Sequence, residues 1–181
     1  MANLLTIRKK IKSVKNTRKI TKAMQLVAAS KMRQFQKKAV NSRLYAADLL
    51  KILHNNLSDT KSEALMEKRD EGKILFILYS SDKGLCGPLN NRMIKALLAS
   101  SLWDQTDKDE RLLVTIGKKS HDFAHYNKIK VEKSFKSLNE DMKPSDALEM
   151  VDHVMKFWKD KVVKEIVMIA PYYKSPIVFY P

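Results

Sequence analysis

The sequence predicts an α/β protein in two parts, a long N-terminal coiled-coil-forming helix and a small α/β domain with a mostly parallel sheet. Three observations predict it. The first 71 residues contain neither glycine nor proline. Apolar residues recur through them at steps of three and four. Beyond Gly72 the pattern changes to short continuous apolar runs separated by helical stretches.

The helix comes first in the chain. Apolar or small residues fall at Leu4, Ile7, Ile11 and Val14, then at Ile20, Met24, Val27, Ala28, Met32 and Phe35, and on through Leu49, Leu53 and Leu57. This is the stripe of an amphipathic helix close to a heptad period. A helix of roughly 55 residues is about 80 Å long, far more than a compact domain of this size requires. Its stripe needs a mate, because a long apolar seam left in water is costly. Thr17, Thr21, Ala28, Ala29 and Ser30 make part of the seam small or polar, which suits close packing or a contact that is not permanent.

Residues 58–72 are polar and read as a connector ending at Gly72. Ile74-Leu75-Phe76-Ile77-Leu78-Tyr79 is an apolar run of the kind buried on both faces of a sheet. A turn containing Gly84 and Gly87 follows, then a helical stretch near 89–101. Residues 112–116 form a second strand closed by Gly117, and 118–127 a helix. A weaker strand is expected near 129–135, and Pro144 opens a helix over about 145–160, proline being favoured in a first turn. Ile166–Ala170 reads as another buried strand, and Ile177–Tyr180 begins one more. Strands alternating with helices give a Rossmann-like α/β unit. The division expected is 1–57 long helix, 58–72 connector, 73–181 α/β domain.

Charge and composition narrow the function. The net charge is +15, and residues 1–43 hold thirteen Lys or Arg and no acid. Such a block meets acidic protein, nucleic acid or lipid head groups. No apolar run is long enough to span a bilayer, and the N-terminus lacks the apolar core of a secretory signal. One cysteine, Cys86, excludes an internal disulfide and fits a reducing compartment.

The tempting chemical motifs are weak. His121 and His125 stand at i and i+4 on an expected helix, but Asp122 replaces the glutamate of a zinc-protease motif and no third ligand is evident; they read as surface histidines. Gly84-x-x-Gly87 lacks the pattern of a phosphate loop, and its glycines are explained by backbone need in a tight turn. No catalytic residue, cofactor or metal is expected. A nucleic-acid-binding basic helix is the alternative reading, though no recognition motif accompanies it and Phe35 and Tyr45 are too few for a stacking platform.

Two stretches carry a family resemblance. The first runs from Ile7-Arg8 through Ile11-Lys12-Ser13-Val14-Lys15-Asn16-Thr17-Arg18-Lys19-Ile20-Thr21-Lys22-Ala23-Met24 and on to Leu26-Val27-Ala28-Ala29-Ser30-Lys31-Met32. The second is Ser81-Asp82-Lys83-Gly84-Leu85-Cys86-Gly87, with Asn90 beyond. Both closely resemble the gamma subunits of bacterial F-type ATP synthases, with Lys83 where the family commonly has arginine and Pro88 where it commonly has glycine. The resemblance implies a non-catalytic rotor subunit of the central stalk, catalysis residing on the beta subunits. It implies partners: the alpha and beta subunits of F1, the epsilon subunit and the membrane c-ring, with no nucleic acid. The location implied is peripheral, on the cytoplasmic face of the bacterial plasma membrane. Carried over residue by residue, the contact positions are Arg8, Lys22, Met24, Arg33, Gly84, Leu85, Cys86 and Gly87. Against the family pattern, the expectation is of an N-terminal portion that lacks the second long helix and stops just inside its last strand.

Overall fold

The computed structural model describes residues 3–56, 68–135, 143–175 and 178–181. The chain divides into two compact units, Met1–Lys61 and Ser62–Pro181.

The first unit is one helix, α1 (Leu4–Asn56, 53 residues). Asn3 opens it: its Oδ1 accepts from the backbone N–H of Leu5 at 3.2 Å, satisfying one of the donors a helix start leaves unpaired. No acid stands in the first turn, so α1 forgoes the dipole stabilisation that an acid would give there. Its length is about 80 Å at 1.5 Å per residue, as the periodicity predicts. Thr17 Oγ1 donates to the Ser13 carbonyl and Thr21 Oγ1 to the Thr17 carbonyl, both at 3.0 Å. Here the small polar stretch of the seam bonds back to its own helix, a habit that tends to bend helices.

The second unit is a parallel sheet covered on both faces. Its elements are β1 (Lys73–Tyr79), α2 (Leu89–Leu98), α3 (Ser101–Gln105), a 3-10 turn (Lys108–Glu110), β2 (Arg111–Ile116), α4 (Lys118–Tyr126), β3 (Lys133–Phe135), α5 (Pro144–Lys159) and β4 (Val163–Ile169). The strand order is β3-β2-β1-β4, and each neighbouring pair is parallel. Chain order runs outward from β1 to β3 and then returns to β1's other side with β4. That reversal is the topological switch of a doubly wound fold.

β1 sits at the centre and alternates between two cores. Ile74, Phe76 and Leu78 pack with Met93, Leu97, Trp103 and Leu113 on one face. Leu75 and Ile77 pack with Leu112, Val114, Ile116 and Val163 on the other, where α5 lends Val154 and Phe157. This two-sided burial is why β1 reads as an unbroken apolar run. Phe76 meets Trp103 edge to face, with ring centroids 4.9 Å apart. α5 starts as its proline predicts, and the Lys143 N–H donates to Asp146 Oδ2 at 3.0 Å. Its end is tied by Arg69, whose Nη1 donates to the Trp158 carbonyl at 2.7 Å and to the Val163 carbonyl at 3.1 Å, while the guanidinium lies 4.0 Å from the Trp158 ring centroid.

Four expectations are corrected. The stretch near 89–101 is two helices, because Ser100 takes an extended conformation (ψ 125°) and starts α3. β4 begins earlier, at Val163, and is an edge strand with Met168 54% exposed, so it is not the buried strand its apolar residues suggest. The weak strand near 129–135 contracts to three residues, 133–135. Phe179–Tyr180 (β6) pairs antiparallel with Tyr172–Tyr173 (β5) in a separate two-stranded sheet, while Ile177 and most of the expected connector lie outside the described residues.

Candidate functional site

Two surfaces hold the positions singled out in the sequence. Arg8, Lys22, Met24 and Arg33 all lie on α1 and all are exposed. Helical geometry divides them. Lys22 is fourteen residues from Arg8 and Arg33 eleven from Lys22, close to whole numbers of turns at about 3.6 residues per turn. The three cations therefore share a face. Met24 falls about half a turn away from Arg8 by the same count, on the side of Ile20, Val27 and Phe35. The stripe, repeating near every 3.5 residues, winds round the helix relative to these cations: Met24 and Phe35 face away from them, whereas Ile11, three residues from Arg8, stands on their side.

The stripe is exposed along its length. Ile11 is 50% exposed, Val14 67%, Ile20 61%, Met24 49%, Val27 57% and Leu53 45%. That many apolar side chains open to water on one stripe is the mark of a partner surface.

The second surface is the turn after β1, at the carboxyl end of the strand where the order switches. In open α/β sheets that crevice is the usual contact region. Ser80 and Ser120 anchor it from below. The Ser120 N–H donates to Ser80 Oγ at 2.7 Å, the two hydroxyls lie 2.9 Å apart, and the Ser80 N–H donates to the Ile116 carbonyl at 2.7 Å. Both serines are fully buried, so this polar knot fixes the ends of β1 and β2 against the start of α4. Gly117 makes room for it. At φ +94°, an added Cβ would sit 2.1 Å from the Ser80 carbonyl oxygen.

Above the knot, Asn90 organises the turn. Its Oδ1 accepts from the Ser81 N–H at 3.0 Å, and its Nδ2 donates to Ser81 Oγ at 2.9 Å and to Cys86 Sγ at 3.2 Å. Asp82 Oδ1 accepts from the Lys118 N–H at 2.9 Å, a carboxylate at a helix start. The tip is Leu85, 93% exposed and held at φ +62°, with Gly87 at φ +58°. Backbone need accounts for Gly87. It does not account for Gly84, which has no left-handed φ and open space where a Cβ would go. A leucine in the left-handed region costs roughly 1–2 kcal/mol, and its apolar side chain points into solvent. Leu85 is therefore presented rather than packed.

Other candidates resolve simply. His121 and His125 are both exposed on α4, and among the described residues no three metal-ligating side chains gather. Cys86 is half-buried in the turn. Sequence reasoning missed the Ser80–Ser120 knot, because residues forty apart give no local signal. It also missed His153, whose ring stands edge to face with Phe135 and Phe157 at 5.8 and 5.3 Å. Its Nε2 is buried without a partner. Burial, helped by the charge of Lys133, lowers its pKa against the opposing pull of Glu132 and Glu149.

A long exposed basic helix joined in sequence to a doubly wound α/β unit with a projecting turn defines a protein of the helix-plus-α/β class. The family model described as ATP synthase matches residues 3–181. The chain belongs to the ATP synthase family, among its gamma chains. It is 35% identical over 177 residues to the ATP synthase gamma chain of Geotalea daltonii, covering 97% of this chain and 61% of that one. Against the gamma chain of Helicobacter pylori (strain P12) it is 35% identical over 188 residues, covering 98% and 62%. The chain thus spans about three-fifths of the length of these relatives. In fold it is similar to the rotor of the Euglena gracilis mitochondrial ATP synthase, with TM-score 0.63 at 17% identity, covering 96% of this chain and 58% of that one. It is likewise similar to a chain of the Tetrahymena thermophila central stalk and c-ring, with TM-score 0.67 at 23% identity, covering 88% and 68%.

Proposed function

We propose that this chain forms the N-terminal part of the rotor shaft in the F1 sector of an ATP synthase, coupling proton flow to ATP synthesis by turning inside a hexamer of alpha and beta subunits. The observation that carries the reading is α1: a 53-residue helix whose apolar stripe is exposed along its length and whose first forty residues are rich in cations. The stripe takes a second long helix of the family as its mate. The cationic face, with Arg8, Lys22 and Arg33, meets carboxylates of the surrounding subunits.

The mechanism is differential contact. A shaft alters the nucleotide sites around it only by favouring some of their conformations over others at each angle. Exposed ion pairs worth about 0–1 kcal/mol each bias a neighbour without trapping it. Met24, unbranched and polarizable, suits a surface that must slide. The Gly84–Gly87 turn, with Leu85 at its tip, contacts the epsilon subunit or the c-ring. Catalysis belongs to the beta subunits, and the chain is peripheral to the cytoplasmic face of the bacterial membrane. Among the described residues no helix is long and apolar enough to cross a membrane. The division into shaft (1–57), connector (58–72) and α/β domain (73–181) belongs to the same proposal.

Reconstitution with purified alpha and beta subunits tests it. The chain, supplied with a peptide of the family's second long helix, is expected to co-purify with an ATPase-active assembly. Failure to bind even with that peptide present sinks the reading and returns the basic helix to nucleic acid.

A further inference from the structure

At the end of the sheet where the strands begin, opposite the projecting turn, a cavity of about 530 Å³ opens between β2, the 3-10 turn and the loop from α4 to β3. Its apolar lining comes from Trp103, Leu112, Leu113 and Ile129, three of them buried in the core. Its charged lining is unbalanced: five cations face two carboxylates.

The balance shifts further once existing partners are assigned. Lys130 Nζ pairs with Glu132 Oε1 at 2.8 Å, removing one cation and one acid. Arg111 is pinned, its Nε donating to the Thr106 carbonyl at 2.6 Å and its guanidinium 4.7 Å from the Trp103 ring centroid. It contributes charge but little reach. Lys73, Lys108 and Lys128 have no ion-pair partner among the described residues and face Asp109 alone. Lys128 is also held at φ +55° just past the end of α4, where glycine or asparagine is the usual residue. The fold tolerates strain there with a cation in place.

We propose that this cavity binds a phosphorylated small molecule of nucleotide size, its phosphates held by Lys108 and Lys128 and its apolar body laid on Ile129 and Trp103, which belong to the same face of the sheet. The volume lies within the roughly 300–1,000 Å³ of small-molecule sites, and an apolar lining with few convergent charges is their usual make-up. Lysine heads on flexible stems suit a phosphate as movable point charges. The site draws on none of the surfaces assigned to the rotor reading and stands or falls apart from it.

The test is amide NMR of the full chain at about 0.15 M salt, where long-range attraction to exposed charge is screened, titrated with ADP, pyrophosphate and adenosine. The expected result is saturable shifts at residues 108–112 and 128–132 with ADP and pyrophosphate, and none with adenosine. A Lys108→Gln, Lys128→Gln double variant should weaken binding by about tenfold. Both side chains are exposed, so the fold should be kept, as an unchanged spectrum of β1 would verify. No saturable shift with either phosphate probe overturns the proposal. So do shifts confined to residues 3–56, which would assign the anion to the basic helix, and equal affinity in the double variant.

Discussion

α1 and β1 are both rich in large apolar side chains, and they dispose of them in opposite ways. In β1 the five residues from Ile74 to Leu78 are all at most 8% exposed. In α1 the apolar stripe is open to water from Leu4 to Leu53. Composition alone does not separate the two. The spacing does: a continuous run needs cover on both sides, which the α/β unit supplies from its own helices. A stripe repeating every three or four residues needs one partner along one line, and in α1 the side chains of that line stand exposed. Local stability should follow the same division.

The largest expected effect lies in β1. Phe76→Ala should destabilise the α/β unit by about 3–5 kcal/mol, as aromatic truncations in a packed core do, read by urea unfolding. Val27→Ala in α1 should change the unfolding free energy of the α/β unit by less than about 0.5 kcal/mol. An equal loss in the two would break the comparison, since it would mean that the stripe is already part of a folded core.

Glycines sharpen it next. Gly117→Ala should cost on the order of 2–4 kcal/mol, because the new Cβ meets backbone at Ser80 and the positive φ strains any side chain. Gly84→Ala should be tolerated within about 1 kcal/mol, since nothing lies within 4 Å of its Cβ position. If thermal melts ranked the two the other way, the Ser80–Ser120 knot would not be what holds the end of the sheet.

The smallest effect concerns His153. Its folded-state pKa lies below the unfolded value, so the unfolded chain binds the extra proton first. Its contribution to stability is complete above the unfolded value of about 6.5 and is lost as the pH falls below that toward the folded pKa. His153→Phe should flatten that part of the pH–stability curve in unfolding experiments. An unchanged slope would mean that other groups set it.

Most of the architecture was legible because it is written in short-range patterns. The period of α1, the apolar runs of β1 and β2 and the proline that opens α5 each speak for themselves. The break at Ser100 was not, because neither glycine nor proline marks it and only its backbone angle ends one helix and starts another. Nor was the edge position of β4, since Met168 is apolar whether or not a neighbour covers it. At the candidate site, the motif from Ser81 to Gly87 stands out in the sequence. Its division of labour does not: Asn90 organises the turn, Leu85 is presented, and Gly117, far along the chain, makes the close approach possible.

Cys86 is the one thiol in the chain, and it sits within that turn. A single cysteine is a chemical address: a maleimide dye or spin label added to the unmodified protein would attach at one place, beside the exposed tip. The bond from Asn90 to its sulfur would be the local loss. In exchange, the surroundings and movement of this turn could be followed by light or magnetic resonance without altering the sequence.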